Sequence, residues 1–122
     1  MGKKIIVVDD SHMVRSQVGS ALKGAGYEVI EAADGNEGFA MIEAHADAAM
    51  VICDVNMPNL NGLEMLATVK QDAKHANLPI VMLTTEAQSS LVEQAKRSGA
   101  KGWIVKPFKP ELLVATVRKL AG

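Results

Sequence analysis

The sequence predicts an α/β fold, a doubly wound parallel sheet of five strands built by a (βα)5 alternation. Three observations predict it. Short apolar runs and helical stripes alternate five times along the chain. The best-defined runs are apolar at consecutive positions, as in strands buried on both faces. Acidic, hydroxyl and lysine residues stand where the runs end, at Asp9-Asp10, Asp54, Thr84-Thr85 and Lys106.

Each element has its own signal. Lys4 to Val8 is a β-branched run and the first strand. From Ser11 to about Gly24, Val14, Val18 and Leu22 recur at a spacing of four, the stripe of a helix that Gly24 and Gly26 stop. Tyr27 to Glu31 is the second strand. Asp34 and Glu37 have the spacing of a capping box, and Phe39 and Ile42 give the following helix its apolar side. Met50 to Cys53 is the third strand. A loop rich in Asn and Pro runs from Val55 to Asn61. Asn61 and Glu64 then open a helix with Leu63, Leu66 and Val69 inward. Pro79 to Leu83 is the fourth strand. Gln88 to Ser98 is a helix with Leu91, Val92 and Ala95 on one side and Gly99 after it. Gly102 to Val105 is the fifth strand. Pro110 suits the first turn of a last helix striped by Leu113, Val117 and Leu120.

Composition excludes several function classes. A chain of 122 residues, 48% hydrophobic, supports one core, read as one domain over residues 1–122 with no appended output domain. A formal net charge of -1 and scarce aromatics argue against a nucleic-acid surface. No apolar stretch reaches membrane-spanning length, and no signal peptide opens the chain. One cysteine, Cys53, cannot form an internal disulfide, which suits a reducing cytoplasm. It precedes Asp54 on a buried strand, so its side chain faces away from that of Asp54 and reads as core. His12, His45 and His75 are scattered and read as surface residues.

In open α/β sheets the ligand site lies beyond the carboxyl ends of the strands. That rule gathers three carboxylates, a hydroxyl and an ammonium at one rim. Clustered carboxylates repel one another. An oxygen-rich cluster suits a hard cation such as Mg²⁺. Asp54 is then placed to act as a nucleophile on phosphorus, with Lys106 and Thr84 holding phosphoryl oxygens.

Four segments carry a resemblance: Val7-Val8-Asp9-Asp10-Ser11, the run from Asp54 to Leu63, Leu83-Thr84 and Lys106-Pro107-Phe108. Together they resemble the receiver domains of two-component response regulators, over essentially the whole chain. The likeness is strongest to the single-domain chemotaxis type, through Asp54-x-Asn56-Met57-Pro58-Asn59-x-x-Gly62-Leu63 and Thr84-x-Glu86. The resemblance implies a flavodoxin-like strand order 2-1-3-4-5 and a phosphoacceptor at Asp54. It implies Mg²⁺ held by Asp9, Asp10, Asp54 and the backbone carbonyl of Asn56. By the same likeness Lys106 contacts the phosphoryl group, Thr84 shifts toward it, and Asn56 and Glu86 tune its hydrolysis toward a short lifetime. The Lys106-Pro107 bond is expected to be cis. Trp103 stands at the family's aromatic switch position, where Tyr or Phe is usual, and both switching and plain packing remain open for it. Lys109 is a second departure, where a hydroxyl would be commoner.

The implied partners are a histidine kinase and a downstream target protein. The target would read the surface of helix four, strand five and helix five, including Val92, Trp103, Val105 and Lys109. A monomer that is no enzyme in the turnover sense is expected, with no nucleic acid and no membrane insertion. Rival readings are a phosphorelay intermediate and a receiver-like scaffold without phosphorylation. An aspartyl-phosphate hydrolase needs an acid two residues after its nucleophile, where Asn56 stands. A flavin-mononucleotide binder would be repelled by Asp9-Asp10.

Overall fold

A computed structural model describes residues 2–55, 62–85 and 89–121, without the side chains of Ser89 and Leu91. Five strands, β1 (Lys4–Val8), β2 (Glu28–Ala32), β3 (Met50–Cys53), β4 (Ile80–Thr84) and β5 (Gly102–Val105), form one parallel sheet in the order β2-β1-β3-β4-β5. Five helices connect and cover them: α1 (His12–Gly24), α2 (Gly35–Ala44), α3 (Gly62–Gln71), α4 (Ser89–Arg97) and α5 (Pro110–Ala121).

The burial of each strand follows its place in the sheet. Every residue of β3 and β4 is buried, and all but Lys4 in β1. The edge strands β2 and β5 keep exposed positions. This is why the central runs are apolar at every residue: both of their faces are covered. One face carries Ile6, Val8, Val51, Cys53 and Met82 against Ile42 of α2, Met65, Leu66 and Val69 of α3, and Ala95 of α4. The other carries Ile5, Val7, Ile52, Val81, Leu83 and Ile104 against Val18 and Leu22 of α1 and Leu113 and Val117 of α5.

Local signals set the helix ends. The Ser11 hydroxyl accepts from the Val14 N–H at 3.3 Å, and the Asp34 carboxylate accepts from the Glu37 N–H at 2.8 Å, each satisfying a donor that the helix leaves open. Gly26 and Gly99 take positive φ after α1 and α4, and the next residues, Tyr27 and Ala100, close back onto Leu22 and Ala95. The Lys106-Pro107 peptide is cis.

The structure departs from the sequence-based expectations at several points, among them the fourth strand, which runs Ile80–Thr84 and not Pro79–Leu83 because Thr84 pairs with Val105 of β5. The second strand is displaced by one residue, because the Tyr27 N–H is taken by the end of α1 and pairing starts at Lys4–Glu28. A 3₁₀ turn at Ala73–His75, capped by the Asp72 carboxylate, lies between α3 and β4, where no periodic pattern announces it. His75 is buried, not on the surface, because this turn packs its imidazole against Glu43 of α2, with Nε2 3.1 Å from Oε1. His12 is exposed and His45 half-buried.

Gly62 is the one residue of α3 whose missing side chain the fold requires. A Cβ there would sit 1.9 Å from the backbone oxygen of Asp54, so α3 can approach the end of β3 only without one. Gly62→Ala is expected to lower stability by about 1–3 kcal/mol, the usual cost of overpacking. Urea denaturation of the two proteins measures it, and equal midpoints would contradict the close approach.

Candidate functional site

The sheet order fixes where the polar rim lies. β1 and β3 are neighbours, yet the chain runs outward from β1 to β2 and, on the other side, from β3 to β4. The connections therefore diverge at this pair and open a crevice beyond the strand ends. Asp9 continues β1 and Asp54 continues β3. The Asp9 N–H donates to the Ala32 carbonyl at 3.0 Å, and the Asp54 N–H donates to the Val8 carbonyl at 2.8 Å. Sheet hydrogen bonding thus holds both backbones to the last residue before the crevice.

The side chains meet there. Asp9 and Asp54 are 1% and 5% exposed, and Asp10 is exposed at the mouth. Lys106 reaches across from the end of β5, its ammonium 2.7 Å from one Asp9 carboxylate oxygen and 3.6 Å from one of Asp54. Its backbone N–H donates to the Thr84 carbonyl at 2.8 Å, which ties the lysine to the end of β4. The other Asp9 carboxylate oxygen accepts from the Ser11 N–H at 2.9 Å. Arg15, which the sequence did not single out, donates to the Asp9 carbonyl at 2.6 Å and to the Glu31 carboxylate at 3.0 Å. It pins the backbone of the rim from α1.

The charge balance is incomplete. Among the described residues, three carboxylates face one ammonium, a surplus of negative charge in a partly dry place. Asp9, Asp10 and Asp54 each offer a carboxylate oxygen, and the three atoms lie within 4.8 Å of one another. Octahedral Mg²⁺ holds oxygens at about 2.1 Å, so opposite ligands stand about 4.2 Å apart. The hard oxygen donors and their spacing fit that ion with only small side-chain adjustment.

The remaining sequence candidates divide. Thr84 is fully buried at the end of β4. Trp103 is half-buried on the edge strand and packs on the face covered by α2, α3 and α4. Val105 is 44% exposed and Lys109 is exposed, while Val92 is half-buried. Asn56 and Glu86 lie outside the described residues, as do Met57 and Asn61. Cys53 is fully buried in the core, and burial, followed by the charges of Asp54 and Asp9, pushes its thiol far above the ordinary range. It is an inert thiol at neutral pH. A groove of about 830 Å³ runs beside the rim between α1 and the start of α5, lined by Val14, Ala21 and Phe108, with Lys106 at its edge.

Removing Lys106 leaves Asp9 buried without its cation. Lys106→Met is expected to cost about 3 kcal/mol in EDTA, the scale for breaking a buried pair by deleting one partner. Mg²⁺ should recover part of the loss. Chemical denaturation with and without the ion measures both, and a variant as stable as the wild type in EDTA would contradict the pairing.

Known proteins share this fold. Residues 5–118 match the response regulator receiver domain family. The chain is 38% identical over 120 residues to the chemotaxis protein CheY1 of Helicobacter pylori, covering 98% of this chain and 97% of that one. The solved structure of the chemotaxis protein CheY4 of Vibrio cholerae superposes with a TM-score of 0.92 at 41% identity, covering 98% and 99% of the two chains. A CheX-CheY-BeF3-Mg²⁺ complex from Borrelia burgdorferi contains a chain that superposes with a TM-score of 0.90 at 27% identity, over 96% of this chain and 87% of that one. With the sheet order, the acidic rim and the lysine already in place, the match over nearly the whole length means that this chain belongs to the response regulator receiver domain family.

Proposed function

We propose that the protein takes a phosphoryl group onto Asp54 from a histidine kinase, or from a small phosphodonor, and passes the signal on through a changed surface. The observation that carries this reading is the Asp54 carboxylate at the sheet switch point, within 3.6 Å of a lysine ammonium and beside two further acids.

The chemistry follows from these groups. An Asp54 carboxylate oxygen attacks phosphorus in line, and the bond from phosphorus to the donor's imidazole nitrogen or acyl oxygen breaks. The leaving group departs with that electron pair, and Asp54 becomes an acyl phosphate. Asp9, Asp10 and Asp54, with the expected backbone carbonyl of Asn56, would hold Mg²⁺, which would supply charge neutralisation for the phosphoryl oxygens. Lys106 sits between Asp9 and Asp54, so it is placed to follow the negative charge from the free carboxylate to the phosphoryl group. Asp9 stays anchored by the Ser11 N–H and by Arg15 on its carbonyl while this happens. The groove beside α1 gives a partner carrying phosphohistidine an apolar surface next to Lys106.

The new charge is read at a distance from the rim. Thr84 shifts toward the phosphoryl group, Trp103 repacks against α4, and the surface formed by α4, β5 and α5 changes with them. Such coupling needs two arrangements of similar free energy, one favoured by phosphorylation. A downstream protein binds there, and the likeness to chemotaxis regulators makes a chemotaxis output the leading reading. Asn56 and Glu86 set the phosphoryl lifetime. The protein works as a monomer in the cytoplasm. No helix among the described residues is long and apolar enough to cross a membrane.

Incubation with acetyl phosphate and Mg²⁺, followed by intact mass, tests the acceptor. The wild type is expected to gain the mass of one phosphoryl group, and Asp54→Asn is expected to gain none. A wild type that stays unchanged, or an equal gain in the variant, would overturn the assignment.

A further inference from the structure

A second cluster of metal-competent side chains lies away from the rim. Glu43 from the end of α2, Asp72, and His75 from the 3₁₀ turn each offer a ligand atom within 4.8 Å of the others. The C-terminal end of α2 and the turn before β4 both lie at the amino-terminal edge of the sheet, opposite the acidic rim. We propose that Glu43, Asp72 and His75 form a separate site for a divalent transition-metal ion of the Zn²⁺ type, and that the Lys74 ammonium holds this site when the metal is absent.

The donor set separates the two sites chemically. The rim offers only carboxylate oxygens, which suit Mg²⁺, whereas an imidazole with two carboxylates favours zinc and its neighbours. The His75 ring is fixed, with its side chain only 9% exposed. Its Nε2 lies 3.1 Å from one Glu43 oxygen. Ligands bound to tetrahedral zinc at about 2.05 Å stand about 3.3 Å apart, so this pair already has the spacing of two zinc ligands. Asp72 spends one oxygen capping the Lys74 N–H at 3.0 Å and keeps the other for a cation.

That cation is now Lys74. Its ammonium sits 3.4 Å from the second Glu43 oxygen and 3.7 Å from the second Asp72 oxygen, bridging the two acids. The Lys74 side chain is 66% exposed and free to swing away. The hydrogen bond from His75 holds the Glu43 carboxyl below its usual range, and the bond from the Lys74 N–H does the same for Asp72. Both acids are therefore ionised at neutral pH, as ligands must be. Metal binding needs the displacement of one exposed ammonium and the replacement of the His75–Glu43 hydrogen bond by two metal–ligand bonds.

Calorimetric titration of the full chain with Zn²⁺, in saturating Mg²⁺ to occupy the rim, tests the site. One equivalent of Zn²⁺ is expected to bind. Glu43→Gln, at an exposed position, and His75→Ala should each weaken it at least about tenfold, with circular dichroism confirming that both variants are folded. Lys74→Ala should tighten it, because the competing cation is gone. Zn²⁺ should also raise the melting temperature of the wild type and not that of Glu43→Gln. No binding by the wild type, unchanged affinity in Glu43→Gln, or weaker binding in Lys74→Ala would overturn the proposal.

Discussion

Two carboxylates buried at the ends of adjacent parallel strands, answered by one lysine, are the constraint on which the rest of this molecule depends. A carboxylate loses much of its hydration when enclosed, and two close together raise each other's cost. Asp9 and Asp54 tolerate this because Lys106 reaches both and because backbone N–H groups hold their main chains in place. The arrangement is still short of positive charge. A divalent cation is the natural complement to such a shortage.

The fold exists to keep those groups at fixed separations. β1 and β3 are buried on both faces, so their ends are set by close-packed side chains that cannot drift independently. α3 approaches the end of β3 only because Gly62 lacks a side chain. Arg15 reaches back from α1 to the Asp9 carbonyl and outward to Glu31 on β2, linking three elements through one guanidinium. Lys106 is carried by β5 at the far edge yet hydrogen-bonds through its backbone to Thr84 on β4. A change of charge at the rim is thus in direct contact with β4 and β5, the two strands nearest the surface proposed to carry the signal.

Much of the fold and most of the rim were legible in the chain, for identifiable reasons. Doubly buried strands require apolar residues at every position, so a break into Asp9-Asp10 or Asp54 is visible without any structure. Caps such as Ser11 and Asp34 act within three residues and leave a local mark. What stayed hidden involves contacts between segments far apart in sequence. His75 lies in a short turn with no period, and its burial depends on Glu43, which belongs to another helix. Arg15 reads as one more polar residue on α1, since its partner is a backbone carbonyl that any residue would present. The one-residue displacement of β2 has a similar origin, because the α1 terminus and not strand propensity takes the Tyr27 N–H.

The chain also divides its charged clusters between opposite edges of the sheet. The rim's ligand set is three carboxylates, whereas the Glu43–Asp72–His75 group adds an imidazole to two carboxylates. The proposed function depends on Asp9, Asp10 and Asp54 acting as one cation site. Calorimetric titration with Mg²⁺ of the wild type and of Asp9→Asn tests it most directly. The account predicts one Mg²⁺ per chain in the wild type and loss of that binding in the variant. Equal affinity in the two proteins would contradict it.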